Sequence, residues 1–88
     1  MDTNELITYL TSHGFNLDNT EYKKEYKPYS LVFRHNANEN RFEVFYIGPD
    51  GTEDCPVYLY EDLYKDMDIH VFANYVDGLY DAIKTFDT

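Results

Sequence analysis

Hydrophobic residues recur along this chain with two different periods, and the switch between them separates helical from extended stretches. Near the start, Leu6, Ile7 and Leu10 fall on one face at helical spacing, which predicts a helix from Thr3 to His13. Asp2 stands at the N-cap position and Glu5 follows at the capping-box interval. Gly14 is placed to take the left-handed stop, with Phe15 folding back on the last turn. Near the other end, Ile69, Phe72, Val76, Leu79, Ile83 and Phe86 are separated by alternating steps of three and four. That spacing paints a continuous apolar seam along one side of a helix. Asp68 serves as its N-cap, where a negative charge meets the positive end of the helix dipole. Gly78 interrupts the seam helix at a cost of about 1 kcal/mol relative to Ala, which implies close packing there or a weak point.

Between these helices the period falls to two. Tyr29, Leu31 and Phe33 share one face of a first strand, and the run from Asn36 to Asn40 supplies turn residues. In a second strand, Arg41 to Ile47, Phe42, Val44 and Tyr46 face one side while Phe45 and Ile47 face the other. Gly48-Pro49-Asp50-Gly51 is a turn signal. A third strand from Cys55 to Tyr60 places Cys55, Val57 and Leu59 on one face, with Tyr58 and Tyr60 on the other. Pro56 has no N–H to donate, so this strand belongs at a sheet edge or begins at that residue. Residues 15–18 read as a short extended piece. Residues 19–28 read as a loop, because Pro28 disfavours helix at Lys27. Glu61 to Met67 fits either an extra helical turn or a loop. The expected fold is therefore α+β over a single domain, residues 1–88: an N-terminal helix, a three-stranded antiparallel meander, and a C-terminal amphipathic helix packed on the sheet. The seam is short for a coiled coil, so packing on the sheet is the better use of it, with monomer and homodimer both open.

Charge changes the picture from fold to function. Seventeen Asp and Glu oppose seven Lys and Arg, a net charge of −10, and residues 42–88 alone carry −9 of it. Such a balance argues against direct contact with nucleic acid, whose phosphates need clustered Lys and Arg, and against anionic membranes. It favours a basic partner, or solubility alone. Asp77 and Asp81 lie one helical turn apart, opposite the seam, at roughly 6 Å, a spacing similar to that of phosphates along a strand. Tyr58, Tyr60 and Tyr64 stand among the acids and, if exposed, could anchor an interface. The expected partner-binding residues are Asp50, Glu53, Asp54, Tyr58, Tyr60, Glu61, Asp62, Tyr64, Asp66, Asp68, Asp77 and Asp81. The plainer reading of the same carboxylates is a solvated face.

Candidate chemistry adds little. Cys55, the single cysteine, excludes an internal disulfide and fits a reducing compartment; its neighbours do not form a nucleophile–base pattern with His13, His35 or His70. Asp66, Asp68 and His70 alternate as possible metal ligands but match neither a zinc nor a calcium pattern, and helix capping explains Asp68. No catalytic residue, metal or cofactor is expected. The N-terminal residues lack a signal-peptide pattern and no apolar run is long enough to span a membrane, so a cytoplasmic protein is expected.

The opening Glu5-Leu6-Ile7-Thr8-Tyr9-Leu10 leading to Gly14-Phe15, the helix–meander–helix order and the acidity resemble small inhibitor proteins of phages and mobile elements, of the anti-CRISPR or anti-restriction type. The resemblance lies in layout and not in a motif, so it carries no residue roles. It implies a non-enzymatic inhibitor whose acidic half docks on a basic nucleic-acid-binding site of a host defence or DNA-processing protein, with mimicry of nucleic acid as one mode. In a phage this would act in the host cytoplasm. The basic segment with Lys23, Lys24 and Lys27 departs from an all-acidic mimic. The alternative is an immunity-type or regulatory protein that neutralises a toxin or repressor through a mixed aromatic and acidic surface.

Overall fold

The structure, a computed structural model, describes residues 1–86 apart from the side chain of Cys55. Expectations about the Cys55 side chain and the charge of Asp87 lie outside the described residues. In chain order the elements are α1 (Thr3–Ser12), β1 (Asn16–Asp18), β2 (Glu21–Tyr26), β3 (Tyr29–Asn36), β4 (Arg41–Ile47), β5 (Glu53–Tyr60), α2 (Glu61–Tyr64) and α3 (Ile69–Phe86).

The N-terminal helix forms for the local reasons its sequence announces. The Asp2 carboxylate accepts from the Glu5 N–H at 2.8 Å, and the Glu5 carboxylate accepts from the Asp2 N–H at 3.2 Å, closing the capping box. At the other end Gly14 adopts φ +89°, and the Phe15 N–H reaches back to the Leu10 carbonyl at 3.0 Å. This is the bond of a Schellman stop, which satisfies a carbonyl the helix would otherwise leave without a partner. Asp68 caps α3 in the same manner, accepting from the Val71 N–H at 2.9 Å.

The sheet is an antiparallel meander of five strands in the order β1-β2-β3-β4-β5, larger than the three strands expected. The correction falls on residues 19–28, read as a loop, which hold β2 and its two turns. Asn19, at φ 59°, turns β1 into β2, and Lys27-Pro28 joins β2 to β3 as a tight hairpin. In β2, Tyr22 and Tyr26 alternate inward, while Lys24 between them lies over the Phe15 and Tyr26 rings at 5.9 and 5.2 Å. Lysine's apolar stem makes it usable on an inward face, provided its head finds a π face or a carbonyl. Lys24 Nζ also donates to the His13 carbonyl at 2.8 Å.

Both helices cover one face of the sheet, and the core lies between. It comprises Leu6 and Leu10 of α1, Tyr22, Leu31, Phe33, Phe42, Val44, Tyr46 and Leu59 of the sheet, Tyr64 of α2, and Phe72, Val76 and Ile83 of α3, with Phe15. Aromatic edges lock it: Phe33 meets Phe15 at 5.6 Å and Phe72 at 6.0 Å, both edge to face. The Tyr46 hydroxyl donates to the Leu79 carbonyl at 2.6 Å, tying the sheet to the middle of α3. The seam expected to face inward does so except at its first residue, Ile69, which is exposed at the helix start. Gly78 is exposed as well, with no atom within 4 Å of where a Cβ would stand, so close packing is not its reason.

β5 is an outer strand, as Pro56 requires, and it carries a bulge: between the pairs Val44↔Val57 and Tyr46↔Asp54 two residues of β5, Pro56 among them, oppose Phe45 alone.

Candidate partner-binding surface

The face of the sheet turned away from the helices is closed by charge. Val32 and Phe45, paired across β3 and β4, are buried there without a helix over them. Arg34 lies across Phe45, its guanidinium 4.6 Å from the ring, and reaches three strands at once. It donates to Glu21 of β2 at 2.8 Å and to Glu53 of β5 at 3.1 Å, and stands 3.6 Å from Glu43 of β4. Arg41 pairs with Glu43 at 3.0 Å, and Lys23 with Glu21 at 3.2 Å. Burial pushes the Glu21 carboxyl upward, but hydrogen bonds and charge from Arg34 and Lys23 outweigh it and hold Glu21 below the usual carboxylate range. For Glu43 the hydrogen bond from Arg41 is the largest influence; it prevails over burial, with help from Asn36 and Arg34, and again the carboxyl is lowered. Of the expected binding residues, Glu53 is thus matched by a cation.

The lattice ends on two tyrosines. Arg41 lies 4.2 Å from the centre of the Tyr58 ring and 5.7 Å from that of Tyr60, and hydrogen-bonds the Tyr60 hydroxyl at 3.3 Å. The two rings meet edge to face at 6.3 Å. Held in this way, Tyr58 and Tyr60 still expose 51% and 45% of their surface, and neighbouring Val57 and Leu63 expose 48% and 56%. Scattered apolar exposure is normal, but Tyr58 and Tyr60, adjacent on the open face of β5 with Leu63 exposed on α2 just beyond, form a patch, whereas Val57 opposes Val44 and lies on the helix-covered face. Tyr64 does not belong to it. It is 1% exposed, packs edge to face on Phe42 at 5.8 Å, and shares a 2.7 Å hydrogen bond with the Thr3 hydroxyl, so its place is in the core. Its position in α2 turns its ring inward while Glu61 and Asp62 point out.

Exposed carboxylates adjoin the tyrosines at α2, while Asp54 lies on the opposite face of β5, across from Tyr46. Glu61 and Asp62 share a small cleft with Tyr60 and Asn40. Asp62 is 3.3 Å from Lys65, whereas Asp54 and Glu61 have no ion pair among the described residues. Asp50 accepts from the Thr52 N–H at 3.0 Å within the β4–β5 turn, and this backbone bond lowers its carboxyl. Asp66 is exposed between the short and long helices, and Asp68 is occupied as a cap. Asp77 and Asp81 are exposed on α3 but form a separate group. Tyr80 between them packs on Tyr26 of β2 at 4.4 Å, on the far side of the sheet from β5, and Asp77 adds to the burial that raises the Tyr9 hydroxyl. Asp81 is paired with Lys84 at 3.3 Å. The predicted site therefore splits into an aromatic and acidic surface on β5–α2 and an acidic helix face elsewhere.

Comparisons with protein-family models, with curated proteins and with solved structures found no match. Kinship is silent here. Among the described residues, no three of His, Cys, Asp and Glu converge to hold a metal, so Asp66, Asp68 and His70 do not form a ligand set. No described helix is long and apolar enough to cross a membrane.

Sequence reasoning missed the partners of this surface. Arg41, Arg34 and Glu43 became visible only with the strand register, which sets Arg41 opposite Tyr60 and Glu43 opposite Tyr58. Val57 and Leu63 were legible as apolar residues; the alternation set Val57 on the face of Leu59, and the structure keeps it there, opposite Val44 yet 48% exposed at the sheet edge.

Proposed function

We propose that this protein acts by binding, docking the β5–α2 surface onto a basic partner and inhibiting it, with no catalytic step of its own. The observation that carries the reading is the placement of half-exposed, pre-positioned Tyr58 and Tyr60 beside Glu61, a carboxylate that has no ion pair among the described residues. Rigid tyrosines supply contact area at low entropic cost, and unmatched carboxylates select a partner of opposite charge. A nucleic-acid-binding protein of a defence or DNA-processing system is the partner class this charge suits, and an inhibitor carried by a phage or mobile element is the biological setting proposed.

The mode is a mixed aromatic and acidic contact more than an extended mimic of nucleic acid. A mimic needs a continuous row of uncompensated charge, and here Glu43, Glu53, Asp62 and Asp81 each have a cation at 3.0 to 3.3 Å. Capture from a bacterial lysate tests both ideas. The captured protein should elute with duplex DNA and with salt, since both compete for a basic site. Tyr58→Ala with Tyr60→Ala should abolish capture, while Asp77→Asn with Asp81→Asn should weaken it only slightly. Capture that resists salt and tolerates bound DNA would remove the proposed partner class. A reversed order of the two variants would restore the mimic.

A further inference from the structure

A second feature of the acidic half has walls of another kind. Tyr29, Tyr46, Phe86 and Asp54 line an open cavity of about 280 Å³. Phe86 meets Tyr29 at 5.2 Å and 75°, and Tyr46 at 4.9 Å and 90°, so the rings stand as perpendicular walls. The Tyr46 hydroxyl is held by the Leu79 carbonyl, which fixes its ring. Gly48 keeps the space between the rings and the acids open. A Cβ on it would lie 3.7 Å from the Tyr29 ring, 3.8 Å from an Asp54 carboxylate oxygen and 3.3 Å from one of Asp50. Two carboxylates and an aromatic face thus converge on one point beside the cavity.

We propose that this cavity receives one cationic side chain, a lysine or arginine, from the basic partner. Aromatic faces carry negative charge, and several of them around a carboxylate favour an alkylammonium or guanidinium head over a neutral group of equal size. The volume lies just under the ~300 Å³ at which sites for drug-sized ligands begin, which suits a single side chain. β5 contributes Asp54 to the cavity from the helix-covered side of the strand, beyond the bulge from Tyr58 and Tyr60, so the partner would reach it at the margin of the sheet. The inference deepens the reading above and rests on it for the identity of the occupant, while the site itself can be tested alone.

Titration of the isotope-labelled full chain with N-acetyl-lysine methylamide, followed by amide NMR at constant ionic strength, provides that test. Saturable shifts are expected at Gly48, Asp54 and Phe86, and none there with the uncharged norleucine analogue. Asp54→Asn should weaken the lysine probe about 3- to 10-fold, and Tyr29→Leu, which changes no charge, by a similar factor. Asp54 is exposed, so its variant should keep the wild-type dispersion of amide signals. Equal shifts from the norleucine analogue, no shifts from the lysine probe, or an unaltered Asp54→Asn would each overturn the cation site. Undiminished partner capture by Asp54→Asn, with the probe bound normally by wild type, would overturn the proposed occupant. Failure of DNA competition, in contrast, bears only on the class of partner.

Discussion

Replacing Arg34 by Met tests whether the open face of the sheet is held by charge. Met keeps an apolar stem over Phe45 and removes the fork that joins Glu21, Glu43 and Glu53. A solvent-exposed pair contributes about 0.2–1 kcal/mol, and stranding a truly buried partner costs about 3–5 kcal/mol. The case here lies between. The Glu21 and Glu43 side chains are only 20% and 17% exposed, so screening is incomplete, but each retains a second cation, Lys23 and Arg41 respectively. Glu53, at 54% exposure, adds little. The expected loss is about 1–2 kcal/mol, with Arg34→Lys intermediate because it keeps the charge and loses the fork. Urea unfolding followed by far-UV circular dichroism near neutral pH measures this directly.

The same pair of proteins has a pH signature. Glu21 and Glu43 are held below the ordinary carboxylate value, so their contribution is complete above the unfolded-state value, about 4.3. It is lost as pH falls through the lower folded-state values. The stability gap between wild type and Arg34→Met should therefore be widest at neutral pH and close progressively below about pH 4. An unaltered midpoint for Arg34→Met at neutral pH, or a gap that persists undiminished in acid, would refute the electrostatic account.

Two further outcomes follow from the packing. Gly78→Ala should stabilise the fold by about 1 kcal/mol, read as a raised urea midpoint, because α3 gains a better helix former at an exposed position where the added methyl meets nothing within 4 Å. A destabilised variant would show that α3 needs flexibility there. Tyr64→Phe should cost about 1–2 kcal/mol by removing a 2.7 Å hydrogen bond to Thr3 beside a buried ring, whereas Tyr60→Phe, whose hydroxyl is exposed, should change the midpoint much less; equal costs in the two variants would argue against their assignment to core and surface.

What the sequence disclosed depended on whether an element announces itself locally. Both long helices did, since caps, stops and apolar spacing sit within each segment: Asp2, Glu5 and Gly14 in one, Asp68 and the seam in the other. β3 and β4 were legible from alternation, and Pro56 required β5 to lie at an edge or to begin there, of which the edge is what the structure shows. β2 was not, because its inward positions are Tyr22, Lys24 and Tyr26. A lysine there reads as solvent-facing until Phe15 and the His13 carbonyl, brought close by the fold, give it a reason to turn in. The binding residues divide in the same way. Exposed acids were nameable by type, but the matching of Glu53 with Arg34 depends on a contact across an intervening strand. Tyr58, Tyr60 and Tyr64 look alike in sequence, and only the passage from strand to α2 separates the third from the others.

The interruption in β5 has a consequence for how this molecule meets others. Flanks of sheets invite neighbouring chains to add on, and an unbroken eight-residue flank with tyrosine and valine on display would be an adhesive one. With a missing N–H at Pro56 and a kinked ladder beside it, only the stretch from Val57 to Tyr60 stays regular. Whatever approaches must recognise that stretch by its side chains, since too little straight backbone remains to template a growing stack. Along this flank, adhesiveness is thereby confined to one short segment, poorly suited to endless self-association.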